Sequence, residues 1–218
     1  MSLVDVALKG PVAVVTLNHP ETYNALTWEL MAALDQAVAE AARSSQVRCL
    51  LLTGAGRGFC SGATLSGGDL AKTAEIDALM RSRLNPLLAR LRSCRIPIVA
   101  AVNGPAAGAG VGLALLADIV IAARTAQFVL SFVKIGAVLD AGTSALLQRS
   151  IGAARTRAMA LLGEPLGATE AQDAGLIWKA VAPEDLFAEA MTVAERLAAG
   201  PAQALSLIRR QLDDAWSA

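Results

Sequence analysis

The chain has 218 residues, 55% hydrophobic and 17% charged, so it can form one domain with a substantial core. Its 19 basic and 19 acidic residues balance, which removes any general electrostatic reason to bind nucleic acid or an anionic membrane. A single histidine disfavours a histidine-rich metal site, and three cysteines without a CxxC spacing indicate reduced thiols. We therefore predict a cytoplasmic protein without a metal, a nucleic-acid partner or a membrane partner.

The run from Ile96 to Ala117 contains no charged residue and carries GxxxG spacings. Pro97 and the segment NGP at residues 103–105 divide it into a short strand, a turn and a helix. We therefore interpret the run as buried core and not as a membrane span. The first residues lack a basic start followed by an apolar stretch, so no signal peptide is expected.

The N-terminal segment predicts a hairpin followed by an amphipathic helix. Apolar residues alternate at Val4, Val6 and Leu8, the pattern breaks at Gly10–Pro11, and VAVVTL resumes it. Thr27 is predicted to cap a helix that ends near Arg43. The helix would bury one apolar stripe, formed by Leu30, Leu34, Val38 and Ala41.

The next segments alternate between strands and helices. VRCLLLTG, IPIVAAV and DIVIAA predict buried strands, and a helix is expected from about Ala74 to Leu91. Because strand, glycine loop and helix recur, the pattern favours an α/β fold with largely parallel strands. From Ala141 onward the chain is expected to be helical, with breaks at Gly152, residues 163–165, Gly175, Pro183 and residues 200–201. We divide it into a core at residues 1–150 and a helical C-terminal region at residues 151–218.

Two glycine loops follow predicted strands, at residues 54–69 and from residue 103 to about residue 112. Neither fits the dinucleotide fingerprint, because Phe59 and Leu113 stand where its third glycine is needed, and no Gly-Lys-Ser/Thr tripeptide exists. Small residues leave backbone N–H groups open, and the second loop adds the positive end of a helix dipole. Two converging N–H groups would stabilise an enolate or tetrahedral oxyanion. The alternative is that Gly and Ala only permit close packing.

The sequence resembles the crotonase superfamily of enoyl-CoA hydratases and isomerases. The resemblance is carried by VTLNHPETYNAL, RCLLLTGAGRGFCSGATL, IPIVAAVNGPAAGAGVGLALLADIVIAARTAQF, FVKIGAVLDAGTSALLQRSIG and GEPLGATEAQDAGLIWKAV. It implies a crotonase-like spiral of ββα units with a C-terminal helical trimerisation region, shorter here than is usual for the family. It also implies a homotrimer or dimer of trimers, an acyl-CoA thioester as ligand, and oxyanion-hole N–H groups at Ala63 and Ala109.

The two glutamates that move protons in family hydratases have no counterpart at the matching positions. Gly112 and Phe132 stand there instead, and neither can transfer a proton. Asp140 matches a position from which family isomerases present an aspartate to the acyl chain. Its apolar neighbours Val138 and Leu139 would raise its pKa by desolvation, which suits an acid/base. The alternative is that Asp140 only caps a helix beginning near Ala141.

The resemblance further implies a substrate-binding set that comprises Tyr23, Ala25, Ser61, Gly62, Thr64, Leu65, Phe132 and Leu139. Glu75 and Asp77 lie in a variable helix that could approach the substrate. The aromatic residues Trp28, Phe59, Phe132 and Trp178 could line a pocket, although scattered aromatics usually belong to the core. Asp118 is expected to be structural.

We predict an acyl-CoA thioester isomerase that shifts a double bond or isomerises a ring epoxide through an enolate, with Asp140 as the acid/base. The segment FVKIGAVLDAG is most similar to phenylacetyl-CoA ring-epoxide isomerases and Δ3,Δ2-enoyl-CoA isomerases. No cofactor is expected, since coenzyme A is part of the substrate. Three alternatives remain: a hydratase with other acids, a non-catalytic acyl-CoA-binding protein, and hydrolysis with Asp140 as nucleophile. The last needs a histidine, and His19 is poorly placed for it.

Overall fold

The computed structural model describes residues 2–63, 78 and 80–215. Its strands are β1 Val4–Lys9, β2 Val12–Leu17, β3 Cys49–Gly54, β4 Ile98–Val102, β5 Ala106–Ala107, β6 Ile119–Ala123, β7 Gln127–Val129, β8 Pro165–Gly167 and β9 Lys179–Val181. Its α-helices are α1 Trp28–Arg43, α2 Asn85–Arg92, α3 Ala109–Leu115, α4 Thr143–Leu162, α5 Ala168–Asp173, α6 Leu186–Ala199 and α7 Ala202–Ala215. A π-helical turn, Met80–Leu84, precedes α2.

The larger sheet has the strand order β1-β2-β3-β4-β6-β9, and the smaller has the order β5-β7-β8. In the larger sheet only β1 and β2 pair antiparallel, while the other neighbours run parallel. The predicted N-terminal hairpin and the largely parallel α/β arrangement are therefore confirmed. Because β3 and β4 are adjacent and parallel, the glycine loops that follow them leave the same edge of the sheet.

Helix α1 has the predicted cap and the predicted buried face. The Thr27 side chain accepts a hydrogen bond from the Leu30 N–H, which supplies one of the partners that the first turn of a helix lacks. The predicted stripe is buried, and Arg43 is the last helical residue. The helix covers one face of the larger sheet together with α2 and α3, whose buried leucines join the same cluster.

The opposite face of the larger sheet is covered by α6. Successive residues of a strand point to opposite faces of the sheet. Val14 of β2 and Leu51 of β3 belong to the cluster on the side of α6. They pack against the buried face of α6, which includes Ala190 and Ala194. The parallel strands are thus apolar on both faces, as expected for a sheet buried between helices.

The expectation that the chain is helical from Ala141 onward needs correction. Strand β9 pairs with β6 in the larger sheet, and β8 pairs with β7 in the smaller one. Short strands of this kind carry few residues of periodic pattern, and their pairing partners lie far away in sequence. The predicted break at Gly152 is confirmed, because this residue has φ 77° and ψ 168° within helix α4.

The predicted helix from about Ala74 lies partly outside the described residues, and its later part corresponds to the π turn and α2. Within the part of the chain that the structure describes, no helix is both long and apolar enough to cross a bilayer. Residues 96–117 instead supply β4, β5 and α3. The division at residue 150 stays a prediction, although β9 and α6 both pack in the core that residues 1–150 form.

Candidate active site

Two asparagine amides, one buried and one partly buried, hold the loop that follows β3. Asn24 Nδ2 donates to the carbonyl oxygens of Ala55, Gly58 and Phe59 at 3.0, 2.8 and 3.2 Å, and its Oδ1 accepts from the His19 N–H. Asn24 is fully buried and has φ 57°, a left-handed conformation that asparagine tolerates. The loop that leads to Ala63 is therefore fixed by an amide from a different part of the chain.

Asn103, at the end of β4, holds the same loop from the other side. Its Oδ1 accepts from the Gly54 N–H at 3.2 Å, and its Nδ2 donates to the carbonyl oxygens of Gly56 and Gly58 at 3.0 and 3.3 Å. These two asparagines were not singled out from the sequence. Their positions beside turn residues indicate that the side chains could bind backbone groups, but do not reveal which groups they bind.

Backbone hydrogen bonds join the two glycine loops directly. The N–H groups of Phe59 and Cys60 donate to the Pro105 carbonyl, and the Ala107 N–H donates to the Cys60 carbonyl at 2.9 Å. A Cβ atom at Gly110 would collide with that Cys60 carbonyl oxygen. Gly110 is therefore needed for close packing, which was the alternative explanation for the small residues of the two loops. Its lack of a side chain lets the loops come together.

The predicted oxyanion-hole residues lie at this junction. Ala109 is the first residue of α3, so its N–H has no partner within the helix. Gly62, which precedes Ala63, has φ 94°, and a Cβ atom there would lie 3.3 Å from the Ala109 nitrogen. Ala63 itself is anchored beside α1 through a bridge to Leu26. The structure therefore brings the two segments that carry Ala63 and Ala109 into contact.

The position of the first missing glutamate is closed by Ala141. A Cβ atom at Gly112 would lie 2.5 Å from the Ala141 carbonyl oxygen and 2.6 Å from the Ala141 Cβ. No side chain fits at Gly112 unless this backbone moves. Since Gly112 lies three residues after Ala109 on α3, the contact brings Asp140, the neighbour of Ala141, to the helix that begins with Ala109.

The position of the second missing glutamate is filled by an apolar ring. Phe132 lies in a short 3₁₀ helix, Ser131–Ile135, and is buried. Its Cζ atom would be 3.5 Å from a Cβ atom at Gly108, the residue before Ala109. The ring thus lies beside the residue that precedes Ala109, and its place near the substrate stays a prediction.

Asp140 has the environment of a proton-transferring carboxylate. Its Oδ1 is buried and has no hydrogen-bond partner among the described residues. Burial raises the pKa of the Asp140 carboxyl to about 6, and a hydrogen bond from its own backbone N–H partly opposes this. Among the described residues no charged neighbour contributes to the shift, so desolvation is the cause.

The alternative role of Asp140 as a helix cap does not hold. Helix α4 begins at Thr143, its N-cap is Gly142, and no side chain caps it. Only the backbone carbonyl of Asp140 takes part, accepting from the Thr143 N–H at 2.9 Å and from its Oγ1 at 2.7 Å. Among the described residues, the buried Oδ1 of this carboxylate therefore has no hydrogen bond that would explain its burial.

The other predicted substrate-binding residues fall into two groups. Tyr23, Ala25 and Ser61 lie together, because the Ser61 N–H donates to the Tyr23 carbonyl at 2.8 Å. Leu139 is half-buried beside Asp140 and packs against the core. The predicted Thr64 and Leu65, like the candidates Glu75 and Asp77, lie outside the described residues.

Two other sequence candidates have structural partners. Asp118 Oδ2 accepts from the Ile98 N–H at 2.7 Å, and its Oδ1 binds the Arg209 guanidinium of α7 at 2.6 Å, which agrees with the structural role predicted for it. The His19 Nδ1 lies 3.0 Å from the Thr22 Oγ1 in the exposed entry turn.

The other aromatic candidates differ in their surroundings. Phe59 is fully buried in the core. Trp28 packs against the same core and is partly buried. The exposed Trp178 has the Lys179 ammonium beside its ring.

Removing the Asn24 amide is expected to destabilise the fold and the loop that leads to Ala63. Asn24→Ala leaves three carbonyl oxygens, two of them buried, with one partner fewer and places alanine in a left-handed conformation. We expect the free energy of unfolding to fall by about 2–4 kcal/mol, as measured by urea denaturation. Thr22→Ala, in the exposed part of the same turn, serves as the control, and an equal loss in both variants would contradict the role of the amide.

Comparison with known proteins agrees with this geometry. The model of the family "Enoyl-CoA hydratase/isomerase" matches residues 8–217. The chain is 42% identical to the 1,2-epoxyphenylacetyl-CoA isomerase of Escherichia coli strain K12 over 207 residues, which are 94% of this chain and 79% of that protein. It is 45% identical to a probable enoyl-CoA hydratase of Rhodobacter capsulatus over 202 residues, or 91% and 76% of the two chains.

A solved structure, an enoyl-CoA hydratase from Polaromonas sp. JS666, superposes with a TM-score of 0.93 at 33% identity and covers 99% of this chain and 84% of that one. The likeness extends over nearly the whole chain and includes both glycine loops and the segment that carries Asp140. The expected crotonase-like fold is therefore confirmed. The chain belongs to the enoyl-CoA hydratase/isomerase family.

Proposed function

We propose that this protein is an acyl-CoA thioester isomerase in which Asp140 is the single acid/base. The observation that carries the proposal is the pairing of Ala141 with Gly112. This contact removes the room for a glutamate on α3, and it brings Asp140, whose Oδ1 has no hydrogen-bond partner among the described residues, to the same helix. One buried carboxylate with a raised pKa suits a reaction that takes a proton from one carbon and returns it to another.

The proposed reaction conserves all atoms of the substrate. The Asp140 carboxylate removes a proton from the α-carbon of a 3-enoyl-CoA thioester, and the electron pair of that bond passes into the thioester carbonyl. The N–H groups of Ala63 and Ala109 donate to the resulting dienolate oxygen. Protonated Asp140 then delivers the proton to the γ-carbon, so the double bond moves into conjugation and the carboxylate is regenerated. No cofactor is needed.

An aromatic acyl group is the second substrate class that we include. The Phe132 ring lies beside the second donor, where it can contact an acyl group whose carbonyl accepts from Ala109. The similarity to a 1,2-epoxyphenylacetyl-CoA isomerase supports a ring epoxide as such a substrate. Because the chain is also similar to a probable enoyl-CoA hydratase, hydration is the alternative reaction that the experiment must distinguish from isomerisation.

The deciding experiment follows 2-enoyl-, 3-enoyl- and phenylacetyl-type CoA thioesters by mass spectrometry in deuterated water. Wild type is compared with Asp140→Asn and with Asp173→Asn, which alters an exposed carboxylate on α5. We expect deuterium at the α- or γ-carbon together with double-bond migration, lost only in Asp140→Asn. Addition of water that persists in Asp140→Asn would identify a hydratase, and binding with neither double-bond migration nor exchange would identify a non-catalytic acyl-CoA-binding protein.

A homotrimer or dimer of trimers stays a prediction, and the surface of α7 supports an oligomer. None of the helix residues is buried, although Leu207, Ile208 and Leu212 are large and apolar. Apolar side chains grouped in this way commonly mark a protein interface. Native mass spectrometry distinguishes three copies from six.

A further inference from the structure

Asp140 opens a tight turn whose conformation is unusual for its sequence. The Thr143 N–H donates to the Asp140 carbonyl at 2.9 Å, and the two residues between them, Ala141 and Gly142, have φ values of 51° and 72°. Positive φ at both central positions defines a type I′ turn, which favours Gly, Asn or Asp. The chain has glycine at the second position and alanine at the first.

Alanine at the first position of this turn is strained. An L-residue with a Cβ atom rarely adopts a left-handed conformation, whereas glycine adopts it freely. Strained residues persist where the surrounding structure requires them, and they concentrate at functional sites. Glycine would form the turn more easily, so the methyl group of Ala141 needs an explanation.

The methyl group lies against Gly112 of α3. The space that a Cβ atom would take at Gly112 is occupied by the Ala141 Cβ and carbonyl oxygen, at 2.6 and 2.5 Å from it. Ala141 is buried, with 7% of its surface exposed. Helix and turn are therefore fitted to each other: one residue has no side chain, and the other presents its smallest possible side chain to the gap.

We propose that Ala141 is a positioning residue for Asp140, an inference that rests on the proposed role of Asp140 as acid/base. The packed methyl group anchors the turn to α3, which also carries the Ala109 donor. The anchored turn keeps the Asp140 carboxylate at a constant distance from the oxyanion hole, with Oδ1 buried and without a hydrogen-bond partner among the described residues. Positioning of this kind matters because small displacements of a catalytic group cost much of its rate.

The first test is Ala141→Gly, which relieves the strain and removes the contact. We expect the melting temperature to stay unchanged or to rise, while kcat for isomerisation falls about tenfold to hundredfold and KM changes little. The carboxyl pKa of Asp140, followed by ¹³C NMR and assigned by its absence in Asp140→Asn, is expected to fall from about 6 towards its ordinary value. A looser turn admits water to the carboxylate.

Two further variants separate positioning from general loosening. Gly112→Ala disturbs the same contact from the side of α3 and is expected to change the Asp140 pKa and kcat as Ala141→Gly does. Ala137→Gly loosens the same loop at a residue outside the left-handed turn. It is expected to leave the Asp140 pKa unchanged and to lower kcat by less than Ala141→Gly.

The readouts distinguish this inference from the proposed function. An unchanged Asp140 pKa and kcat in Ala141→Gly would overturn the positioning role, whatever the reaction. If wild type shows no isomerisation or exchange but the Asp140 pKa still falls in Ala141→Gly, the proposed function fails and Ala141 still holds the carboxylate. A parallel loss of melting temperature and kcat in Ala141→Gly would reduce Ala141 to a structural residue and overturn the inference.

Discussion

Asp140→Asn is expected to lower kcat/KM for double-bond migration by about 10²–10⁴-fold, the range for loss of a general acid/base. The amide matches the carboxylate in size but cannot accept the proton. In wild type the rate should rise with pH through about 6, because only the ionised carboxylate can begin the reaction. Steady-state rates between pH 5 and pH 8 measure both effects, and a wild-type rate independent of pH in this range would contradict the assignment.

The same variant is expected to be more stable than wild type at neutral pH. Folding raises the pKa of Asp140 from 3.8 to about 6, so the folded state binds the proton more tightly than the unfolded chain does. The wild type therefore loses stability as pH rises from about 4 to about 6, and the loss is constant above that. A shift of about two units corresponds to at most about 3 kcal/mol.

Thermal unfolding at pH 4.5 and pH 7.5 tests this prediction. The melting temperature of Asp140→Asn should exceed that of wild type at pH 7.5, and the difference should shrink at pH 4.5, where wild-type Asp140 is mostly neutral. Asp173→Asn is the matched control, because its carboxylate is exposed and its replacement should shift the melting temperature equally at both pH values. A stability gain that is the same at both pH values would contradict a desolvated Asp140.

Ala109→Pro is expected to remove the second oxyanion donor while leaving the fold intact. Ala109 is the first residue of α3, a position that accepts proline because its N–H has no partner within the helix. Proline keeps a Cβ atom at this buried site but lacks the N–H group. We expect kcat/KM to fall by about 10²–10³-fold, or about 3–4 kcal/mol of transition-state stabilisation.

Ala109→Gly provides the control, because it removes the side chain and retains the backbone donor. Its loss of activity should be much smaller than that of Ala109→Pro, and both variants should have similar circular dichroism spectra. Equal losses in the two variants would show that the Ala109 side chain matters rather than its N–H. Full activity in Ala109→Pro would show that the thioester oxygen is held elsewhere.

The elements with strong periodicity could be predicted from the sequence. The alternation in β1, the capped stripe of α1 and the apolar runs of β3, β4 and β6 are local signals, and each formed where expected. The three-residue strands β7, β8 and β9 were missed, because so short a segment gains its structure from a partner strand and not from its own pattern.

The sequence by itself determined which groups this protein has for chemistry. It provides glycine loops without a phosphate-binding motif, no glutamate at Gly112 or Phe132, and an aspartate at residue 140. Only the tertiary structure decided how these groups meet. The Asn24 and Asn103 amides hold the first loop against the second, and the methyl group of Ala141 closes the space over Gly112. These contacts join residues far apart in the chain, so no local pattern encodes them.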